Sequence, residues 1–304
     1  MRKIVYITLI SLIVAVFFLT RFYLLKREIK RAYKQLVDLN NRKTEKKLDL
    51  VFWDKDFEQL AIEINAQIDL TKQENAKKRR KENELKQAIA NISHDIRTPL
   101  TSILGYIQFL ELDELSHDEK KEYTAIVKSG ALRLKVLLED FFELSIIESA
   151  DYVLKDEKIK MNNLVLEILV GFYEQFNHKN LEPVIHIPEE EISLIADPSA
   201  VKRVIENLVL NAIKHSDGNV EIRLKKSQSA IQVIISNTAN QISEHDLNYL
   251  FDRFYKADKT RTGIGTGLGL SIAKSLMVKM DGDLHAELQQ DNKLIMICEW
   301  KVSY

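Results

Sequence analysis

The sequence predicts a multidomain chain: a membrane-spanning helix, a helical hairpin that pairs with a second copy as a four-helix bundle, and an α+β domain. Three observations carry that expectation. An apolar run without charge lies near the N-terminus, apolar stripes at helical spacing continue to about residue 150, and β-branched alternation takes over after Lys155.

The run Ile4 to Leu19 carries no charge, and apolar character resumes after Arg21 as far as Leu25. At ~1.5 Å per residue this stretch crosses a hydrocarbon core of ~30 Å. A cleaved signal peptide would need a small-x-small site after it, whereas Phe22 and Tyr23 suit an interfacial aromatic belt. Only Arg2 and Lys3 precede the span, while Arg21, Lys26, Arg27, Lys30, Arg31 and Lys34 follow it. The positive-inside rule then predicts a single-pass protein of the cell membrane, with its N-terminus outside and its bulk in the cytoplasm. So short an outer segment directs detection to the span, the bilayer, a membrane partner protein or the stalk.

Residues 26–80 are expected to form a helical signalling stalk, with Phe57, Leu60, Ile64 and Ile68 at three- and four-residue steps. The polar stretch Asn40 to Asp49 is expected to break it. The basic run Lys77 to Lys81 reads as a solvated helix face. Net charge is −1, with 45% apolar and 29% charged residues, so nucleic acid is not an expected partner.

Residues 81–151 carry a second seam, Leu85, Ile89, Ile92, Ile96, Leu100, Ile103 and Ile107. A further helix follows from about Asp118 to Ala150, with Ile126, Leu134, Leu137, Phe141 and Leu144 on one side. One hairpin cannot bury such stripes alone, which predicts a homodimer. In residues 155–304 the reading places strands at Val184 to Ile187, Val220 to Leu224, Ile231 to Ile235 and Leu294 to Trp300. Helices are placed at Asn162 to Phe176, Ser199 to His215 and Gly267 to Met280. The single cysteine, Cys298, lies in an apolar strand and reads as a buried, inert thiol.

Three constellations carry chemistry. Ser93-His94-Asp95-Ile96-Arg97-Thr98-Pro99-Leu100 sets a histidine beside a carboxylate that orients its imidazole, and Pro99 is expected to bend the helix just after His94. Gly263-Ile264-Gly265-Thr266-Gly267-Leu268-Gly269-Leu270 leads into a helix, where alternating glycines let backbone amides close on phosphate. Glu206, Asn207, Asn211 and Lys214 lie three or four residues apart on one helix face. Asparagine is a mediocre helix former, so its recurrence there favours function: an amide oxygen for Mg²⁺ and an ammonium for phosphate.

In this order the motifs resemble those of bacterial two-component sensor histidine kinases, from about Glu82 to the C-terminus. His94 and its neighbours resemble the H box, Asn207 to Ser216 the N box, Phe251 to Tyr255 the F box and Gly265 to Leu270 the second glycine box. The resemblance implies a dimerisation and phosphotransfer domain, followed by a Bergerat-type α/β sandwich that binds ATP and Mg²⁺. It implies His94 as phosphoacceptor, Asp95 as its acid/base partner and Thr98 as the residue that positions water for dephosphorylating a cytoplasmic response regulator. Nucleotide contacts are implied at Asn207, Asn211, Lys214, His215, Asn237, Ile242, Phe254, Arg261, Gly265, Thr266, Gly267, Leu268 and Gly269, with Asn211 on Mg²⁺ and a lid at Lys259 to Ile264.

Two departures stand out. Where the family has Asp-x-Gly-x-Gly, this chain has Asn237-Thr238-Ala239-Asn240-Gln241, which keeps a carbonyl acceptor for adenine but loses charge and both glycines. Asp56 to Asn65 resembles the end of a HAMP module whose first half lacks the usual proline. The altered loop also fits a nucleotide-poor scaffold that docks a regulator or another kinase without phosphorylating itself. A conformational ATPase of the same superfamily would have no use for an H box on a membrane-tethered hairpin.

Overall fold

A computed structural model of the chain describes residues 2–41, 44, 46–49, 55–112, 115–149, 151–240, 242–256, 265–289 and 291–302. It divides into two compact units, Met1–Lys86 and Gln87–Tyr304.

The first unit contains α1 (Arg2–Asn40) and the start of α2 (Lys55–Leu110). From Ile4 onward α1 is long and apolar enough to cross a membrane. The hydroxyls of Thr8, Ser11 and Thr20 bond to carbonyls three or four residues back, which satisfies them inside the helix. The helix ends at Asn40, where the polarity of the sequence predicts a break. Two side-chain amides then hold the extended chain that follows. Asn65 accepts from the Leu48 amide at 2.9 Å and donates to its carbonyl at 3.1 Å. Gln35 does the same for Asp49, at 3.1 and 3.4 Å. Leu48 is thereby seated among the buried residues, as are Ala32 and Ala61.

The second unit begins with the end of α2 and continues through α3 (His117–Glu148). Ser116 caps α3 in a reciprocal capping box with Glu119. Pro99 lies inside α2, which continues through it to Leu110. At Gly130 a β-carbon would stand 2.9 Å from Cγ1 of Ile103, so the missing side chain lets the two helices approach. Leu85, Ile89, Leu100, Ile107 and Phe141 of the seam remain exposed in the single chain.

After the hairpin come β1 (Glu157–Lys160), α4 (Met161–Gly171), α5 (Tyr173–His178), β2 (Val184–His186) and β3 (Ser193–Ala196). Then follow α6 (Pro198–His215), β4 (Val220–Lys226), β5 (Ala230–Thr238), α7 (Glu244–Leu247), α8 (Gly269–Lys279), β6 (Asp283–Leu288) and β7 (Lys293–Lys301). Five strands form one sheet in the order β2-β4-β5-β7-β6, parallel only between β2 and β4, while β1 and β3 pair separately. Ile205, Leu208 and Ala212 of α6 and Ile272, Leu276 and Met277 of α8 share a core with Ile222, Ile235, Met296 and Cys298 of the sheet. Burial of Cys298 is complete and pushes its thiol well up.

The predicted helix Asn162 to Phe176 is corrected to two, parted at Phe172. The strands β1, β3 and β6 and the single turn α7 were not among the predicted elements. β1 and β3 span four residues each, too short for a period-2 pattern to stand out.

The start of α6 is fixed by Asp197, whose Oδ1 accepts the amides of Ser199 and Ala200 at 2.9 and 3.0 Å while Oδ2 accepts that of Lys155 at 2.9 Å. Burial works against its charge, but the amides of Lys155, Ala200 and Ser199 outweigh it and hold the carboxyl below its usual range. Replacing Asp197 with alanine is expected to lower unfolding free energy by about 1–2 kcal/mol in urea titrations. Because the folded carboxyl is the stronger acid, its share of stability is present above the unfolded value near about pH 4 and is lost as pH falls through the folded one. The gap between wild type and Asp197→Ala should therefore narrow in acid.

Candidate functional site

His94 sits on α2 with its side chain 76% exposed, and its Nδ1 lies 3.4 Å from Oδ1 of Asp95. One helical turn on, the Thr98 hydroxyl donates to the His94 carbonyl at 3.2 Å. The ring therefore stands in solvent with its Nδ1 edge turned to a carboxylate and Nε2 on the far side. The other oxygen of Asp95 takes an ion pair from Lys256, just past the F box, at 2.8 Å.

The second centre lies where the glycine run meets α6. Gly267 has φ +71°, and a β-carbon there would come within 2.9 Å of Phe254 Cα. The clash would be with backbone, so no side-chain rotation relieves it. Phe254 itself is buried at φ +63° and donates its amide to the Gly267 carbonyl at 2.9 Å, which ties the F box to the glycine box. A β-carbon on Gly269 would stand 3.0 Å from Asn207 Oδ1, so this glycine opens the approach to the α6 face. Leu268 between them is fully buried and anchors the loop.

Asn207 is buried and its Nδ2 has no hydrogen-bond partner among the described residues. Asn211 and Lys214 follow on the same face, both half-buried, and His215 closes the helix in an exposed position. Burial pushes the Lys214 ammonium down from its usual range, with the charge of Asp140 pulling the other way.

Asn237 lies on β5 between Val220 and Leu294, 1% exposed. Its Nδ2 donates to the Thr238 carbonyl at 3.3 Å, and its Oδ1 has no partner among the described residues. Ile242 packs half-buried against Ala239, Leu250 and Leu294. Two orphaned amide groups and two glycines with no room for a side chain suit a planar base with a phosphate tail. Arg261 and the expected lid Lys259 to Ile264 lie outside the described residues.

Sequence reasoning missed a charged network across this unit. Thr266 donates to Oδ2 of Asp140 on α3 at 2.7 Å, and Arg203 of α6 donates to Oδ1 at 3.1 Å. Arg203 also forks onto Glu143, with Nε contacts of 2.9 and 3.0 Å. The acidic pair three residues apart on α3 was the only signal in the sequence, and it does not name its partner.

Two family profiles match the chain. The one described as "His Kinase A (phospho-acceptor) domain" covers residues 84–150, and that of the "Histidine kinase-, DNA gyrase B-, and HSP90-like ATPase" covers residues 196–302. The chain belongs to the bacterial two-component sensor histidine kinases, as its motifs led us to expect. It is 31% identical to the sensor histidine kinase YcbM of Bacillus subtilis, over 73% of either chain. It is 32% identical to the sensor protein VanS of Enterococcus faecium, over 74% of this chain and 62% of that one. With the sensor protein VanSC of Enterococcus gallinarum the figures are 33%, 67% and 57%. The matched segment thus spans less than two thirds of two of these three relatives.

The fold is shared with histidine kinase AdeS of Acinetobacter baumannii, at TM-score 0.55 and 22% identity, over 69% of this chain and 98% of that one. It is shared too with histidine kinase ThkA, solved in complex with response regulator protein TrrA, at TM-score 0.61 and 24% identity over 77% and 66%.

Proposed function

We propose that this chain phosphorylates itself on His94 from ATP and passes the phosphoryl group to an aspartate of a response regulator. The observation that carries this reading is the pairing, in one unit, of a glycine loop backed onto the Asn207 face with a solvent-exposed His94 oriented by Asp95.

ATP would supply the γ-phosphoryl group and leave as ADP, and Mg²⁺, if held through Asn211, would screen the phosphate charge. The chain's own work is positioning. Asn237 would accept from the adenine amino group, Asn207 and Lys214 would face the phosphates, and the Thr266 to Gly269 segment would close over them. Ile242, Phe254, Gly265 and Leu268 would shape the pocket wall, with His215 at its rim. Asp95 takes the hydrogen bond from His94 Nδ1–H, which leaves the Nε2 lone pair free to attack in line and later accepts the proton as charge develops. The Thr98 hydroxyl, one turn below, would place water against the phosphorylated regulator for the reverse activity.

The domain reading follows: span 1–25, stalk 26–80 with a degenerate HAMP character, phosphotransfer hairpin 81–151 and ATP domain 155–304. The exposed seam of the hairpin supports a homodimer, since apolar stripes of this length need cover. The charges flanking α1 support a single-pass membrane protein with its kinase in the cytoplasm. The test is incubation with γ-labelled ATP and Mg²⁺. A label on the chain that is lost in acid and kept in alkali, and that a response regulator removes, is expected. A wild-type chain that takes no label and binds nucleotide poorly would favour the docking scaffold instead.

A further inference from the structure

We propose that Asp140 of α3 acts as a built-in anion at the phosphate end of the nucleotide site, so that ATP must displace the hairpin's second helix in order to seat. This rests on the nucleotide reading above. It concerns a residue outside every motif that reading used.

Both oxygens of Asp140 are engaged, and its side chain is only 15% exposed. The Thr266 hydroxyl gives its proton to Oδ2 at 2.7 Å while accepting the Leu268 amide at 3.3 Å, so its one rotor is fixed toward the hairpin. Arg203 holds Oδ1 at 3.1 Å. The ammonium of Lys214 feels the same carboxylate. Thr266 is one of the groups assigned to the nucleotide, and here its hydroxyl is bound to an aspartate. A carboxylate draws hydroxyl, guanidinium and ammonium donors as a phosphate oxygen does.

Thr266 and Arg203 thus already have an acceptor in Asp140, whereas Asn207 Nδ2 on the α6 face and Asn237 Oδ1 in the base pocket remain without partners among the described residues. The protein itself supplies an anion to part of the phosphate end. Contacts nearby hold α3 in place: Arg203 on Glu143, and Arg253 on Glu148 at 2.5 Å. Lys256 occupies the second oxygen of Asp95, so the same docked arrangement ties up the partner of His94.

If one set of donors serves either Asp140 or phosphate, nucleotide binding and hairpin docking oppose each other, and linkage makes the effect reciprocal. ATP then releases the domain that has to travel to His94. Removing the carboxylate lifts a cost that the wild type meets at every binding event.

The test is calorimetric titration of the full-length chain in lipid nanodiscs with the β,γ-imido analogue of ATP and Mg²⁺, a readout independent of phosphoryl transfer. Asp140→Asn is expected to bind about three- to tenfold tighter than wild type, and Asp140→Glu close to wild type. Glu143→Gln, which loosens Arg203 without touching Thr266, is expected to tighten binding to a smaller degree and keeps the test open if Asp140→Asn does not fold. Equal affinity in wild type and both neutral variants overturns the proposal while leaving the nucleotide reading intact. Weaker binding by Asp140→Asn overturns it too, because the carboxylate would then be a metal or nucleotide ligand. No binding by any chain overturns both.

Discussion

Replacing His94 with glutamine leaves a chain that folds and binds nucleotide but takes up no phosphoryl label. The side chain is 76% exposed and contributes nothing to the core, so the substitution should change stability by no more than about 0.5 kcal/mol. Glutamine keeps a polar group of similar reach and can still donate to Asp95, yet its amide nitrogen has no lone pair to offer. Loss of the assigned nucleophile is expected to cut labelling by at least about a thousandfold. Affinity for a non-hydrolysable analogue should stay at the wild-type value, which separates chemistry from binding. Label that survives in His94→Gln, with the same loss in acid, would move the acceptor to another histidine and overturn the assignment.

His94 was legible because chemistry concentrates in short segments: an eight-residue motif, a helix face of amides and a run of glycines each carry their own spacing. The same is true of α6, whose start is written in Asp197-Pro198, a cap followed by proline at the first helical position. The Asp140 network was not legible. Thr266 and Asp140 stand 126 positions apart and Arg203 and Glu143 60, and nothing local in either partner marks the other. Such contacts come from how the hairpin docks on the ATP domain, which depends on surfaces rather than periodicity.

Phe254 illustrates a second limit. A buried aromatic residue at positive φ contradicts its own preference, and it is held there because its amide must reach the Gly267 carbonyl and its backbone must pass beneath that glycine. The break at Phe172 has a similar origin. The apolar spacing of Leu164, Ile168 and Phe176 runs on through residues 171 and 172, so periodicity alone joins what the backbone separates.

Asn237→Asp is the substitution expected to move affinity and stability in opposite directions. The side chain is 1% exposed, and Oδ1 has no partner among the described residues, so the pocket solvates that oxygen poorly. A carboxylate in its place gains nothing from the protein and is expected to cost about 1–3 kcal/mol of unfolding free energy without nucleotide. With nucleotide bound, the adenine amino group would donate to a charged acceptor, and such bonds are roughly twice as strong as neutral ones. An affinity gain of about tenfold corresponds to about 1.4 kcal/mol. The variant should therefore melt below wild type when empty, and the gap should narrow as the ATP analogue is raised, because binding at free analogue concentration L stabilises the folded state by RT ln(1 + L/Kd), which is larger for the tighter binder. Paired thermal melts with and without the analogue measure both effects on one sample. A variant that loses stability and gains no affinity would show that Asn237 does not face the base, and the adenine assignment would fall with it.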